Sequence, residues 1–262
     1  MKDVELNPLN SNLRHLLQWG VILILALFLI VYFVFLSKGQ NKTKNNTVYL
    51  QNGNLQVFDD KIAVSQFPDK LAFHYPYLVI IKPTQKTSII YNLEEKRLEK
   101  NIKEIVLDYY KGNLLFNRGA TTFYNKQDLG VLCEKAFIKS QSEILCVTNQ
   151  YVKENNSKLV LINIKTREQK IIYSSSNLIT DVSVMGNDIY FGETEIQTHN
   201  NYIYINNKRI ETPDIVSLIY QMNGELYFAS FKSVLNNQKE SSYLVNKNGA
   251  FKKEGEGILF YK

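Results

Sequence analysis

The chain has 262 residues, 31 of them Lys or Arg and 25 Asp or Glu, with 17 Tyr, 12 Gly and 5 Pro. That composition excludes a collagenous or low-complexity chain. The formal charge of +6 lies in short pairs such as Lys96-Arg97 and Lys252-Lys253, with no long basic run interleaved with aromatics. This pattern fits a solvated surface at strand ends and turns and argues against nucleic-acid binding.

A short polar tail, residues 1–15, precedes an uncharged apolar run that begins at Leu16 and ends at Leu36. Its length is that of a helix crossing a bilayer core of about 30 Å, and only a helix satisfies its own backbone there. Trp19 stands at one interface and Ser37-Lys38 at the other, as amphipathic rings and cations do. A cleaved signal peptide ending near Ser37-Lys38-Gly39 is the rival reading. The apolar core is long for that, and the tail is not clearly basic, so the segment is expected to stay as an anchor in the lipid bilayer. Residues 37–46 then form a polar linker. Lys2 and Arg14 before the span against Lys38, Lys42 and Lys44 after it lean toward a cytoplasmic C-terminus. The layout of a short tail, one span and a large β domain is instead that of an anchor that exports its C-terminus, and that orientation is expected.

From residue 47 to 262 the chain reads as short runs of Ile, Val, Leu, Tyr and Phe broken by Gly, Asn and Asp turns. Strands are predicted at 47–51, 55–59, 77–81, 87–93, 105–110, 114–116, 121–124, 144–148, 159–164, 170–174, 189–191, 202–206, 218–222, 226–231 and 243–245. One hairpin type recurs with an Asn after an apolar strand, at Asn92, Asn125, Asn163, Asn206 and Asn246. A second lies between these, in Gly112-Asn113-Leu114-Leu115-Phe116, Gly186-Asn187-Asp188-Ile189-Tyr190-Phe191 and Gly224-Glu225-Leu226-Tyr227-Phe228. Two hairpins make four strands per unit of roughly 40 residues, the pattern of propeller blades. The segment 47–67 is a unit lacking its first strand, and 258–262 is a lone strand after the last full unit. Joining the two ends completes a sixth blade and removes the exposed edges. A five-bladed ring and an irregular β-sandwich are the alternatives. The predicted fold is therefore all-β, a single β-propeller of four-stranded blades, six favoured, preceded by one transmembrane α-helix.

These repeats, in their Gly-Asn-x-Ile-Tyr-Phe and Tyr-Ile-x-Asn-x-Lys style, resemble the bacterial propellers of the TolB-like and WD-repeat-like superfamily. The resemblance implies architecture only. The chain lacks Trp-Asp blade ends and the Gly-Gly pairs of kelch blades, so no family site transfers to its residues.

Chemistry is thinly marked. There is no Gly-x-Ser-x-Gly elbow, phosphate loop or His-Glu-x-x-His helix, and no catalytic, cofactor-binding or metal-binding residue is assigned. Cys133 and Cys146 sit in apolar stretches and are expected as buried free thiols, a disulfide being the alternative. His74 and His199 are expected in structural or surface roles, and Asp59-Asp60 and Glu94-Glu95 at hairpin tips. Tyr109-Tyr110 and the segment 73–77 offer aromatic area to a partner, but in a propeller such rings more often pack between blades. The leading expectation is a non-catalytic, membrane-held module that binds a protein or envelope component. A tethered hydrolase or lactonase-like enzyme with its site in the central channel, and a ligand sensor, are the alternatives.

Overall fold

The computed structural model describes residues 47–63, 70–149, 156–206, 208–231, 240–245 and 250–261. The expected span at residues 16–36, its flanking tail and linker, and Asn246 lie outside them. Among the described residues no helix is long and apolar enough to cross a membrane.

The chain opens with β1 (Val48–Gln51), β2 (Asn54–Val57) and β3 (Asp60–Ala63). The second blade holds β4 (Lys70–His74), β5 (Tyr77–Lys82), β6 (Thr87–Asn92) and β7 (Arg97–Ile102), and the third β8 (Ile105–Tyr110), β9 (Asn113–Arg118), β10 (Thr121–Tyr124) and β11 (Gln127–Asp128). The fourth comprises β12 (Lys135–Ile138), β13 (Glu143–Asn149), β14 (Ser157–Asn163) and β15 (Gln169–Ser175). The fifth is β16 (Leu178–Met185), β17 (Asp188–Thr194), β18 (Asn201–Ile205) and β19 (Lys208–Thr212). The sixth is β20 (Leu218–Met222), β21 (Glu225–Ser230), β22 (Ser241–Val245) and β23 (Phe251–Glu256), after which comes β24 (Ile258–Tyr261).

Among the described residues these strands form six four-stranded sheets, and β24 pairs with β1 to complete the first. The described residues form a six-bladed propeller closed by the pairing of β24 with β1, as the repeats predict. Closure is locked by more than the antiparallel register of Leu50 against Ile258. Glu240, 3% exposed, accepts the amide hydrogens of Gly53 at 2.8 Å and Asn52 at 3.1 Å. Those amides belong to the β1–β2 turn, where both residues have positive φ, the geometry of a two-residue hairpin turn matched to strand twist.

Burial follows strand position. Middle strands are covered on both faces by neighbouring blades, so β5 and β13 are buried almost throughout. Outer strands β7 and β19 are mostly exposed and carry Arg97, Glu99, Lys100, Lys208, Arg209 and Glu211. Charges on an outer strand discourage pairing with another molecule. Arg97 and Lys208 open the outer strands β7 and β19, at strand ends as the charge pattern predicts, whereas Lys252-Lys253 lie within β23.

The innermost strands line the axis: β4 packs on β8, β8 on β12, β12 on β16, β16 on β20, and β20 on both β24 and β4. Apolar clusters fill the seams between blades. One joins Val48, Leu55 and Phe260 of the closing blade to Leu71 and Phe73 of the second and Tyr220 of the sixth. Full burial of each such side chain contributes roughly 1.5–3 kcal/mol.

Two aspartates bind blade to blade. In β8 and β16 a register shift, at Val106/Asp108 and Ile179/Asp181, inserts one unpaired residue before the aspartate. A bulge of this kind re-aims the following side chain. Asp108 Oδ2 accepts the Ile138 amide hydrogen at 2.6 Å, and Asp181 Oδ2 that of Ile219 at 2.7 Å, each on the next blade's innermost strand.

The repeated asparagines do two jobs. Asn125 and Asn206 adopt positive φ, and their Oδ1 atoms accept amide hydrogens from Leu114 and Ile189 of the preceding strand. Asn92 and Asn163 cap longer turns, through Glu95 and through Lys165 and Thr166. Asn is suited to both because its short amide bonds local backbone and tolerates the left-handed region.

The cysteines are corrected. Cys133 and Cys146 form a disulfide with Cα atoms 5.4 Å apart. The segment before β12 is tied down by Thr122 Oγ1, which accepts the Cys133 amide hydrogen, and by the Glu134 amide, which donates to the Val147 carbonyl. That places Cys133 beside β13, extending the antiparallel pairing of β12 with β13 inside the fourth blade.

Candidate functional site

The C-terminal ends of four innermost strands converge on one mouth of the axis. A cavity of about 380 Å³ there is lined by His74 from the second blade, Tyr110, Lys111 and Asn113 from the third, Phe137 to Gln141 from the fourth, and Val184 and Gly186 from the fifth.

His74 is the most constrained group in this mouth. Its ring lies between Tyr110 and Phe137, with both centroids 4.0 Å away and planes tilted by only 8° and 21°. Its Nδ1 is 2.9 Å from Asp108 Oδ2, and the two side chains are 13% and 2% exposed. An ionised carboxylate only accepts, so this contact places the hydrogen on Nδ1, and in the neutral form of the ring the lone pair is then on Nε2. Among the described residues nothing hydrogen-bonds Nε2. Asp108 also accepts the amide hydrogens of Tyr109 at 2.8 Å and Ile138. Its charge is thus compensated below the cavity floor by three donors.

Other polar groups of the mouth are partly committed. Lys139 Nζ pairs with Glu143 at 2.8 Å, and Ser140 Oγ accepts amide hydrogens from Ser142 and Glu143 within its own turn. Lys111 has its Nζ 5.1 Å over the Tyr110 ring, and among the described residues no carboxylate lies within ion-pair distance of it.

At the opposite mouth a cavity of about 230 Å³ is lined by Lys70, Leu71, Leu107, Asn117, Glu134 and Lys135, among others. Lys135 Nζ lies 3.4 Å from Asp181 Oδ1. Burial pushes the Asp181 carboxyl above its usual range, against the opposing pull of Lys135 and the Ile219 amide. Partial burial, then the neighbouring Lys135, lower the Lys70 ammonium below its ordinary value. Among the described residues no group of three His, Cys, Asp or Glu side chains is arranged to hold a metal ion.

His199 is exposed in the turn between β17 and β18, far in the chain from the mouth. Asp59, Glu94 and Glu95 sit in exposed turns and Asp60 opens β3, where it accepts the Tyr91 hydroxyl. Tyr109 is buried between blades, whereas Tyr110 reaches the mouth. Sequence reasoning missed the partnership of His74 with Asp108 and the roles of Phe137 and Lys111. One signal was present: Asp108 and Asp181 are each the fourth residue of an innermost strand.

Comparison with known proteins supports the fold. No family model matches the chain, and no curated protein matches it in sequence. A chain from a crystal structure of a nidogen/laminin complex superposes with a TM-score of 0.52 at 9% identity, over 82% of this chain and 93% of that one. An oligogalacturonate lyase from Vibrio parahaemolyticus matches with a TM-score of 0.34 at 9% identity, over 80% of this chain and 85% of that one. At 9% identity the likeness to the nidogen/laminin chain is one of architecture, and the expected resemblance to propellers holds at that level.

Proposed function

We propose that this chain is a membrane-tethered propeller that binds a partner at the cell envelope, with the mouth around His74 as its contact site. The observation that carries this reading is the convergence of four blades on one concavity whose polar groups are already held in place. His74 is clamped by Asp108 and two rings, Lys139 by Glu143 and Ser140 by its turn. Preorganised groups lose little freedom on binding, which favours recognition. The tether is the apolar segment 16–36, and the Cys133–Cys146 disulfide supports an extracytoplasmic domain, since disulfides persist in oxidising compartments. The similar propeller crystallised in a nidogen/laminin complex offers a parallel for protein binding by this architecture.

The test is site-specific photocrosslinking in intact cells, with the reactive side chain at Gln141 in the mouth or at Leu132 beside the opposite one. A partner captured from Gln141 and not from Leu132 supports the proposal. Capture from neither, or from Leu132 alone, overturns it.

A second reading is favoured by one observation, the Asp108-oriented imidazole whose Nε2 is available as a general base. It requires hydrolytic turnover that His74→Gln abolishes and that Lys61→Gln, on an outer strand, leaves intact.

A further inference from the structure

We infer that the mouth around His74 receives a small anionic polyol, a hydroxylated molecule carrying one phosphate or carboxylate group. The inference rests on the reading of this mouth as the contact site and adds the chemistry of what enters it.

Charge is the first argument. The residues lining the cavity include Lys111 and Lys139 but no Asp or Glu. The nearest carboxylates are already engaged, Asp108 beneath the floor and Glu143 with Lys139. Lys111 is left as a cation without a carboxylate partner among the described residues, at the edge of a concavity walled by Tyr110, Phe137 and Val184. Apolar walls focus the field of such a cation and raise the local concentration of anions. Lys139 adds a second cation, since its ammonium has three donors and can keep its half-buried pairing with Glu143 while donating to a ligand.

The second argument concerns hydrogen-bonding type. With Nδ1 committed to Asp108, Nε2 of the neutral ring is an acceptor, and an acceptor beside two ammonium groups is poorly used by a bare anion. It is well used by a ligand hydroxyl, which donates to Nε2 while the anionic group of the same molecule meets Lys111 and Lys139. The amide side chains of Asn113 and Gln141, also in the lining, donate to and accept from further hydroxyls. His74 cannot swing away to avoid this role, because both faces of its ring are covered. The shared chemistry is found in free polyol phosphates, in sugar acids and in the glycerophosphate headgroup of a lipid.

The experiment is calorimetric titration of the full chain in neutral detergent with glycerol 3-phosphate, glycerol, inorganic phosphate and glucuronate, and with phosphatidylglycerol added to the micelles as a separate arm. Glycerol 3-phosphate or glucuronate is expected to bind about tenfold or more tighter than both glycerol and inorganic phosphate, and to weaken as salt is raised. Lys111→Asn, which keeps a residue tolerant of the left-handed turn, is expected to cost about tenfold. His74→Gln is expected to reduce affinity for the polyol anions while leaving inorganic phosphate unchanged. Competition by phosphatidylglycerol assigns the natural source to lipid headgroups, and its absence assigns it to free solutes. Glycerol binding as tightly as its phosphate, inorganic phosphate matching glycerol 3-phosphate, or indifference to Lys111→Asn in a protein of unchanged thermal stability overturns the inference. If no polyol anion binds while Gln141 still captures a partner, the inference falls and the proposed function stands; if capture also fails, both fall.

Discussion

Replacing Cys133 and Cys146 together by Ala removes a crosslink and two buried sulfurs, and the structure sets the size of each loss. The bond joins residues 13 apart in sequence. A loop of that length restricts the unfolded chain by about 3 kcal/mol at 25 °C in the chain-entropy account. Both residues are fully buried, packed with Leu115, Leu129, Ile144 and Ile162. Truncating the pair to Ala adds a cavity term of roughly 1 kcal/mol. The expected loss is therefore about 4 kcal/mol, or roughly 10 °C in melting temperature for a domain of this size. Chemical reduction of the wild-type protein should cost only the crosslink share, because the sulfurs remain to fill the space. The assay is thermal unfolding of oxidised, reduced and doubly substituted protein, with intact mass after alkylation to count thiols. Two alkylated thiols in protein purified without reductant would refute the pairing itself. A paired protein whose melting point is unmoved by reduction would refute the entropic argument, and would mean that the β12–β13 hairpin persists in the unfolded chain.

Three further outcomes are expected. Glu240→Ala strips the acceptors from the Asn52 and Gly53 amides and should destabilise ring closure by roughly 2–4 kcal/mol, with Glu240→Gln intermediate; chemical denaturation of the three proteins ranks them, and equal midpoints would show that water replaces the carboxylate. Gly192→Ala places a Cβ 2.5 Å from Thr180 Oγ1 and 2.8 Å from Val216 Cγ1, so roughly 1–3 kcal/mol should be lost, and Val216→Ala in the same chain, which removes that Cγ1, should recover part of it by the same measurement. Tyr91, Tyr109 and Tyr227 are each pushed up to about 12, first by burial and then by the neighbouring carboxylates Asp60, Glu99 and Glu225. Their neutral phenols therefore contribute stability that is fully present below the ordinary tyrosine value of 10.0 and is lost as pH rises through about 12. Ultraviolet titration should show a late tyrosine class that ionises together with unfolding, and a single early transition for all tyrosines would contradict it.

The span expected at residues 16–36 and the domain's orientation were read from hydropathy and layout, and both stand as proposals that the crosslinking experiment and protease shaving of intact cells can test. Cysteine pairing was legible only as an alternative, because nothing local in Gly130-Val131-Leu132-Cys133 announces that this segment folds back beside β13.

Local sequence by itself determined the blade repeat and favoured six units over a five-bladed ring; the six sheets themselves are a finding of the tertiary structure. Apolar strands buried on both faces and Asn or Gly turns of defined handedness are written in short stretches, and the partial unit at 47–67 with the lone strand at 258–262 predicts the closure that the pairing of β1 with β24 makes. Charged outer strands such as β7 and β19 escaped notice because their backbone pairs with only one neighbour, leaving their side chains solvated and without alternation. The site was decided by tertiary structure alone. His74, Asp108 and Phe137 belong to three different blades, and each looks ordinary in its own strand. Only when the ring stacks β4 on β8 and β8 on β12 do a carboxylate, an imidazole and two aromatic planes meet, since blade-to-blade packing joins residues that no local periodicity links.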